Sequence, residues 1–187
     1  MKAFKKLAVV VVAGIISLSV FAQNGQQEKT VEVGGAPMYP SKNIVENAVN
    51  SKDHTTLVAA VKAAGLVETL QGSGPFTVFA PVNKAFDKLP KGTVDQLLQP
   101  ENKNQLTAVL TYHVVAGNLT AAALIQKIQE GKGKAVLTTV QGGTITLMKK
   151  GKKLMLSDAN GNVATITIAD VQQSNGVIHV IDTVVLP

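Results

Sequence analysis

The 187-residue chain contains no cysteine and no arginine. Without cysteine there is no disulfide, no thiolate metal site, no cysteine nucleophile and no thioether-linked lipid anchor, so stability must come from packing and backbone pairing. Without arginine the chain lacks the bidentate fork preferred for phosphate and carboxylate recognition. Aromatic residues make up only 4% of the chain, which speaks against the stacking platforms that hold nucleic acids. Histidine occurs three times, as His54, His113 and His179. The chain has no G-x-S-x-G elbow (Ser73 sits in a shorter G-S-G), no G-x-x-x-x-G-K-S/T phosphate loop and no H-E-x-x-H. These absences predict a non-enzymatic protein with no cofactor and no metal.

What is present begins with a targeting pattern. Lys2, Lys5 and Lys6 precede an apolar run from Leu7 to Phe21, and Val20-Phe21-Ala22 places small residues before a cut after Ala22. The run is shorter than the roughly 20 residues of a spanning helix, so residues 1–22 read as a signal peptide with no membrane span after its removal. Losing three lysines leaves 15 against 12 acids, reducing the formal charge from +6 to +3. The remainder suits one domain. Residues 23–40 are polar and punctuated by Gly and Pro, and read as a linker or N-terminal arm against which Met38 and Tyr39 have room to tuck. The domain proper is expected over 41–187.

Within that domain the hydrophobic period changes half-way. Helical spacing predicts a helix after an N-cap at Ser41, another over 56–64 closed by Gly65, and a short turn at 66–70. Further helices are expected over 83–88 and 93–98, from Pro100 to Thr111, and from a Thr120 cap to Glu130. Phe76 to Ala80 reads as a buried strand. After Lys134 the segments 136–140, 144–148, 154–156, 163–168 and 177–181 are strand-like, separated by Gly- and Asn-Gly-containing turns. The result is an α+β chain, helical first and antiparallel later. The strands at 76–80 and 177–181 are apolar on both faces and are expected to be central.

Few side chains offer chemistry. His179 and Asp182 have an H-x-x-D spacing, but an offset of three places them on opposite faces of a strand, so a buried structural histidine is favoured. His113 follows Tyr112 at a helix-to-strand junction, where it can satisfy orphan carbonyls. His54 beside Asp53 reads as a solvated cap region. Asp158, Asn160 and Asn162 resemble the start of a calcium loop but lack the glycine at position six and the glutamate at position twelve, which favours a β-turn. Asn118-Leu119-Thr120 is a sequon read as a loop and helix cap. Lys149, Lys150, Lys152 and Lys153 flank Gly151 at a predicted hairpin tip. They read as a soluble turn that discourages edge pairing, or else as a polyanion-binding site.

Three ordered blocks carry a family resemblance. They are Thr77-Val78-Phe79-Ala80-Pro81 with Asn83 and Ala85-Phe86; Tyr112-His113; and Asn175 to Asp182 with Leu186-Pro187. With the opening helices, they make residues 41–187 resemble the fasciclin (FAS1, β-Ig-h3) domain, of the bacterial secreted single-domain type. The resemblance implies a β-wedge of two small sheets with helices packed around it. It makes Thr77, Phe79, Pro81, Phe86, His179 and Asp182 the structural motif. It further implies a secreted or periplasmic, monomeric adhesion or surface-interaction module. The partner would be a cell-surface or matrix protein or glycan, met near Tyr112, His113, Asp170 and Val171. A small molecule or acidic polysaccharide held in a groove or at the Lys149–Lys153 hairpin is the alternative. Position 82, often Thr or Ser in the family, is Val82 here, which removes a hydroxyl cap that Asn83 is placed to replace.

Overall fold

The computed structural model describes residues 29–187; the predicted leader and its cleavage after Ala22 lie outside the described residues. The first elements fall in the segment read as a loose arm. β1 (Val31–Val33) and β2 (Ala36–Met38) form an antiparallel hairpin through Gly34-Gly35, both at positive φ. Val33 and Met38 are buried in the core while Glu32 and Pro37 face out. The polar average of 23–40 concealed an alternation of period two, so residues 31–38 are a packed hairpin and not a linker.

The helices follow local chemistry. α1 (Ile44–Ala48) is capped by Asn43 and not by the expected Ser41. The Asn43 side chain accepts from the Glu46 N–H, and the Glu46 carboxylate accepts from the Asn43 N–H, a reciprocal capping box. α2 (Thr55–Ala64) ends on Gly65 at φ 73, the left-handed conformation that glycine adopts without strain. α3 (Val67–Gln71), α4 (Asn83–Phe86) and α5 (Thr93–Leu97) are short. Pro100 opens a 3₁₀ turn through Asn102, after which α6 (Lys103–Tyr112) begins. α7 (Ala121–Glu130) starts at Thr120, whose hydroxyl accepts from the Ala123 N–H as expected. Val82 supplies no side-chain cap to α4, and Asn83 does not replace it. Asn83 instead accepts from the Thr56 N–H and donates to the Lys52 carbonyl, fastening the start of α2.

The remaining strands are β3 (Phe76–Pro81), β4 (Val114–Ala116), β5 (Lys134–Thr138), β6 (Thr144–Lys150), β7 (Lys153–Ser157), β8 (Val163–Gln173) and β9 (Gly176–Ile181). They pair in the order β4-β3-β9-β8-β7-β6-β5. β3 and β9 run parallel, with Phe79 opposite His179, and both are central as expected. β8 carries register shifts between Ile166 and Ile168 and between Ile168 and Val171. Bulges bend a strand and raise its twist. The start of β8 therefore pairs with β7 and the rest with β9, which joins the two small sheets of the wedge.

Alternation along β3 divides the interior. Val78 and Ala80 meet Leu57, Val61, Leu106 and Leu110 beneath the helices, together with Ile178 and Val180 of β9. Phe79 and Ile181 turn to the other face, against Leu124, Ile145, Leu147 and Leu156. Each central strand thus serves two cores, which is why neither shows a polar face.

Candidate functional site

The motif side chains act as internal braces. His179 is fully buried and its ring stacks on Phe79 with centroids 5.7 Å apart. Its Nε2–H donates to the Leu119 carbonyl at 2.7 Å, and its Nδ1 accepts from the Asp170 N–H at 3.3 Å. A neutral imidazole thereby ties the loop before α7 to the β8 bulge, and burial lowers its pKa. Thr77 works on the same loop, donating to the Gly117 carbonyl and accepting from the Leu119 N–H. Asp182 lies just past the end of β9, beside Thr165 of β8. Burial pushes its carboxyl up, but the Thr165 N–H, the Thr183 hydroxyl and Lys88 together hold it below the usual range. Pro81 is buried at the end of β3, and Phe86 is half-buried against Val109 and Val184.

Three of the four residues expected at the partner surface are buried. Tyr112, His113 and Val171 are 1%, 3% and 1% exposed. The Tyr112 hydroxyl donates to the Thr144 carbonyl, which places the whole ring in the second core. His113 Nδ1–H donates to the Val109 carbonyl at 2.8 Å, and Nε2 accepts from the Val185 N–H at 3.3 Å. Burial depresses its pKa to about 4; the Val109 carbonyl and Asp158 oppose this more weakly. Asp170 is half-buried at φ 59 in the bulge, and its carboxylate accepts from the Ala121 N–H at the start of α7. One oxygen of this carboxylate thus serves the N-terminus of α7. His54, expected in a solvated cap region, is 2% exposed, with Nδ1 against the Ser51 hydroxyl and Nε2 buried without a hydrogen-bond partner.

Asp158 also turns inward. Its two oxygens accept from the N–H groups of Asn160, Asn162 and Leu186 and from the Asn162 amide. The D-x-N-x-N run is thus a turn whose Asp158 carboxylate is spent on protein donors.

The lysines remain outside. Lys149, Lys150, Lys152 and Lys153 are all exposed at the β6–β7 turn, where Lys150 pairs with Lys153 across Gly151 at φ 61. β5 runs antiparallel to β6 with Lys134 opposite Met148, which brings exposed Lys132 and Lys134 to the same end of the sheet. Sequence reasoning missed these two. The available signal was a run from 131 to 157 holding six lysines and no acid. Glu130, the neighbouring acid in sequence, accepts from the Gln126 amide on α7.

A fasciclin-domain model matches residues 52–187. The chain belongs to the fasciclin family. It is 49% identical over 160 residues to protein sll1483 of Synechocystis, covering 86% of this chain and 82% of that one. It is 37% identical over 145 residues to the immunogenic protein MPT70 of Mycobacterium tuberculosis, covering 75% and 66%. It is 34% identical to the cell surface glycolipoprotein MPB83 of Mycobacterium bovis, covering 75% of this chain and 58% of that one. A solved FAS1 domain pair from the insect cell adhesion molecule fasciclin I superposes with a TM-score of 0.71 at 19% identity. That match covers 80% of this chain and 52% of the pair, and it shows the fold. The expected family and wedge therefore hold. Among the described residues no helix is long and apolar enough to cross a membrane.

Proposed function

We propose that this fasciclin chain is an exported, non-enzymatic surface-interaction module that binds an acidic polysaccharide through its lysine-rich end. The observation that carries the reading is the gathering of Lys132, Lys134, Lys149, Lys150, Lys152 and Lys153 at one end of the sheet, all exposed. Lysine suits such a ligand. Its ammonium is a point charge on a flexible stem and needs no fixed fork geometry, so it tolerates the varied spacing of carboxylates along a sugar chain. Relatives that include a cell surface glycolipoprotein support a place at the cell exterior, as does the leader-like segment at 1–22.

The test is binding of the exported protein to immobilised polygalacturonate, compared with a variant carrying Lys149→Ala, Lys150→Ala, Lys152→Ala and Lys153→Ala. Exposed ion pairs contribute about 0.2–1 kcal/mol each, so loss of four implies roughly fourfold to several-hundredfold weaker binding. Binding must also weaken steeply with salt, because exposed charges are screened. Equal binding by a folded quadruple variant, or none by the wild type, refutes the reading.

A further inference from the structure

The chain contains three Asn-Gly dipeptides, at 24–25, 160–161 and 175–176. The first lies outside the described residues. The other two stand in opposite surroundings. The dipeptide is chemically labile, because glycine has no side chain to keep its nitrogen from the amide carbon of the preceding asparagine. Asn175 is buried and its amide is held at both ends. Its nitrogen donates to the Leu70 and Gly72 carbonyls at 2.8 and 3.0 Å, and its oxygen accepts from the Ile44 N–H at 3.0 Å. Gly176 belongs to β9 and pairs with Phe76 of β3 and Gln173 of β8. The Asn175 amide cannot turn onto the Gly176 nitrogen without breaking three hydrogen bonds.

Asn160 is held far less. Residues 159–163, between β7 and β8, are all exposed. The Asn160 amide reaches the Leu186 and Pro187 carbonyls at 3.5 and 3.4 Å, beyond the ~3.2 Å of an ordinary N–H···O bond. Gly161 sits at φ 85, and its N–H donates to the Asp158 carbonyl at 3.2 Å. We infer that Asn160 is a site of spontaneous deamidation in the folded protein, while the fold protects Asn175. Hydroxide takes the Gly161 proton, and the Gly161 nitrogen attacks Asn160 Cγ. The Cγ–Nδ2 bond breaks, and the departing nitrogen takes a proton back from water and leaves as ammonia. Water then opens the succinimide ring at either carbonyl carbon, giving aspartate or isoaspartate. Both products lose the amide that reaches Leu186 and Pro187. Both place a second carboxylate beside Asp158, whose oxygens hold the N–H groups of residue 160, Asn162 and Leu186. Isoaspartate also adds a methylene to the main chain between those donors. The modification therefore loosens the turn that fastens Leu186. It is independent of any binding at the lysine-rich end.

Peptide mapping by mass spectrometry of the exported protein, aged in mildly alkaline buffer, tests the inference, with fragmentation to separate the two asparagines. In the folded protein Asn160 should convert while Asn175 keeps its amide over the same period. In urea both should convert at comparable rates, because the dipeptide is the same and the fold alone distinguishes them. Conversion of Asn160 should speed up with hydroxide concentration, since the nucleophile is the deprotonated nitrogen. Hydrogen exchange at the Leu186 amide should be faster in the aged protein and in Asn160→Asp than in fresh wild type, as expected where a local hydrogen bond opens more readily. An intact Asn160 in the folded protein, after the urea sample has converted, overturns the inference. So does conversion of Asn175 as fast as Asn160 within the fold. Unchanged exchange at Leu186 in both the aged protein and Asn160→Asp overturns the loosening of the turn.

Discussion

His113 makes the folded protein sensitive to mild acid. Both ring nitrogens are committed, Nδ1–H to the Val109 carbonyl and Nε2 as acceptor from the Val185 N–H. A second proton would set one donor against another in a buried site. The folded-state pKa is accordingly depressed to about 4 from an ordinary 6.5. Between those values the unfolded chain binds a proton that the folded chain refuses, so stability falls as pH falls. At about 1.4 kcal/mol per unit of pKa, the loss is complete below the folded value and amounts to roughly 3 kcal/mol. By pH 5 about 2 kcal/mol of it has gone. His54 and His179 are also lowered by burial and act in the same direction. Urea melts at pH 7 and pH 5 of wild type and His113→Phe therefore need comparing as differences. The variant is less stable at pH 7, but its loss between the two pH values should be smaller by about 2 kcal/mol. Equal losses, or a His113 ring proton that titrates near 6.5 by NMR, would refute the reasoning.

Phe79→Ala should cost about 3–5 kcal/mol, as truncation of a buried aromatic does, and His179→Ala about 1–3 kcal/mol by orphaning the Leu119 carbonyl and the Asp170 N–H; a wild-type urea midpoint in either contradicts the stacked pair. Gly176→Ala should abolish folding, because a Cβ there would overlap the Phe76 carbonyl oxygen at φ 156; a folded variant with a native circular dichroism spectrum contradicts the register of β3 on β9. Mass spectrometry of the exported protein should find Gln23 as the first residue, and an intact Met1 or Lys2 would count against the leader reading.

Legibility followed the strength of the local signal. β3 and β9 were readable because strands buried on both faces are apolar throughout, and Gly65 and Thr120 because a left-handed C-cap and a hydroxyl N-cap are specified by one residue each. The β1–β2 hairpin was missed because its buried residues are diluted by Gly34, Gly35 and Pro37. Asn43 displaced Ser41 because a cap is chosen by the reciprocal bond to Glu46, which depends on a three-residue offset. The site was less legible than the fold. Tyr112, His113 and Val171 were expected as contact residues through the family resemblance, and residue type alone does not tell a buried aromatic or imidazole from an exposed one. Their burial is set by long-range partners, Thr144, Val185 and Ile178, which no local pattern announces. The lysine-rich end was half visible. The hairpin lysines are adjacent in sequence, but Lys132 and Lys134 join them only through the antiparallel register of β5 on β6.

The most direct test of the proposed binding surface is an NMR titration of the labelled exported protein with polygalacturonate oligomers, following every backbone amide. Shifts should concentrate at residues 132–134 and 149–153 and be reversed by salt, with the amides around Tyr112, His113 and Asp170 unmoved. Shifts centred on another face, or none at saturating oligomer, would contradict it.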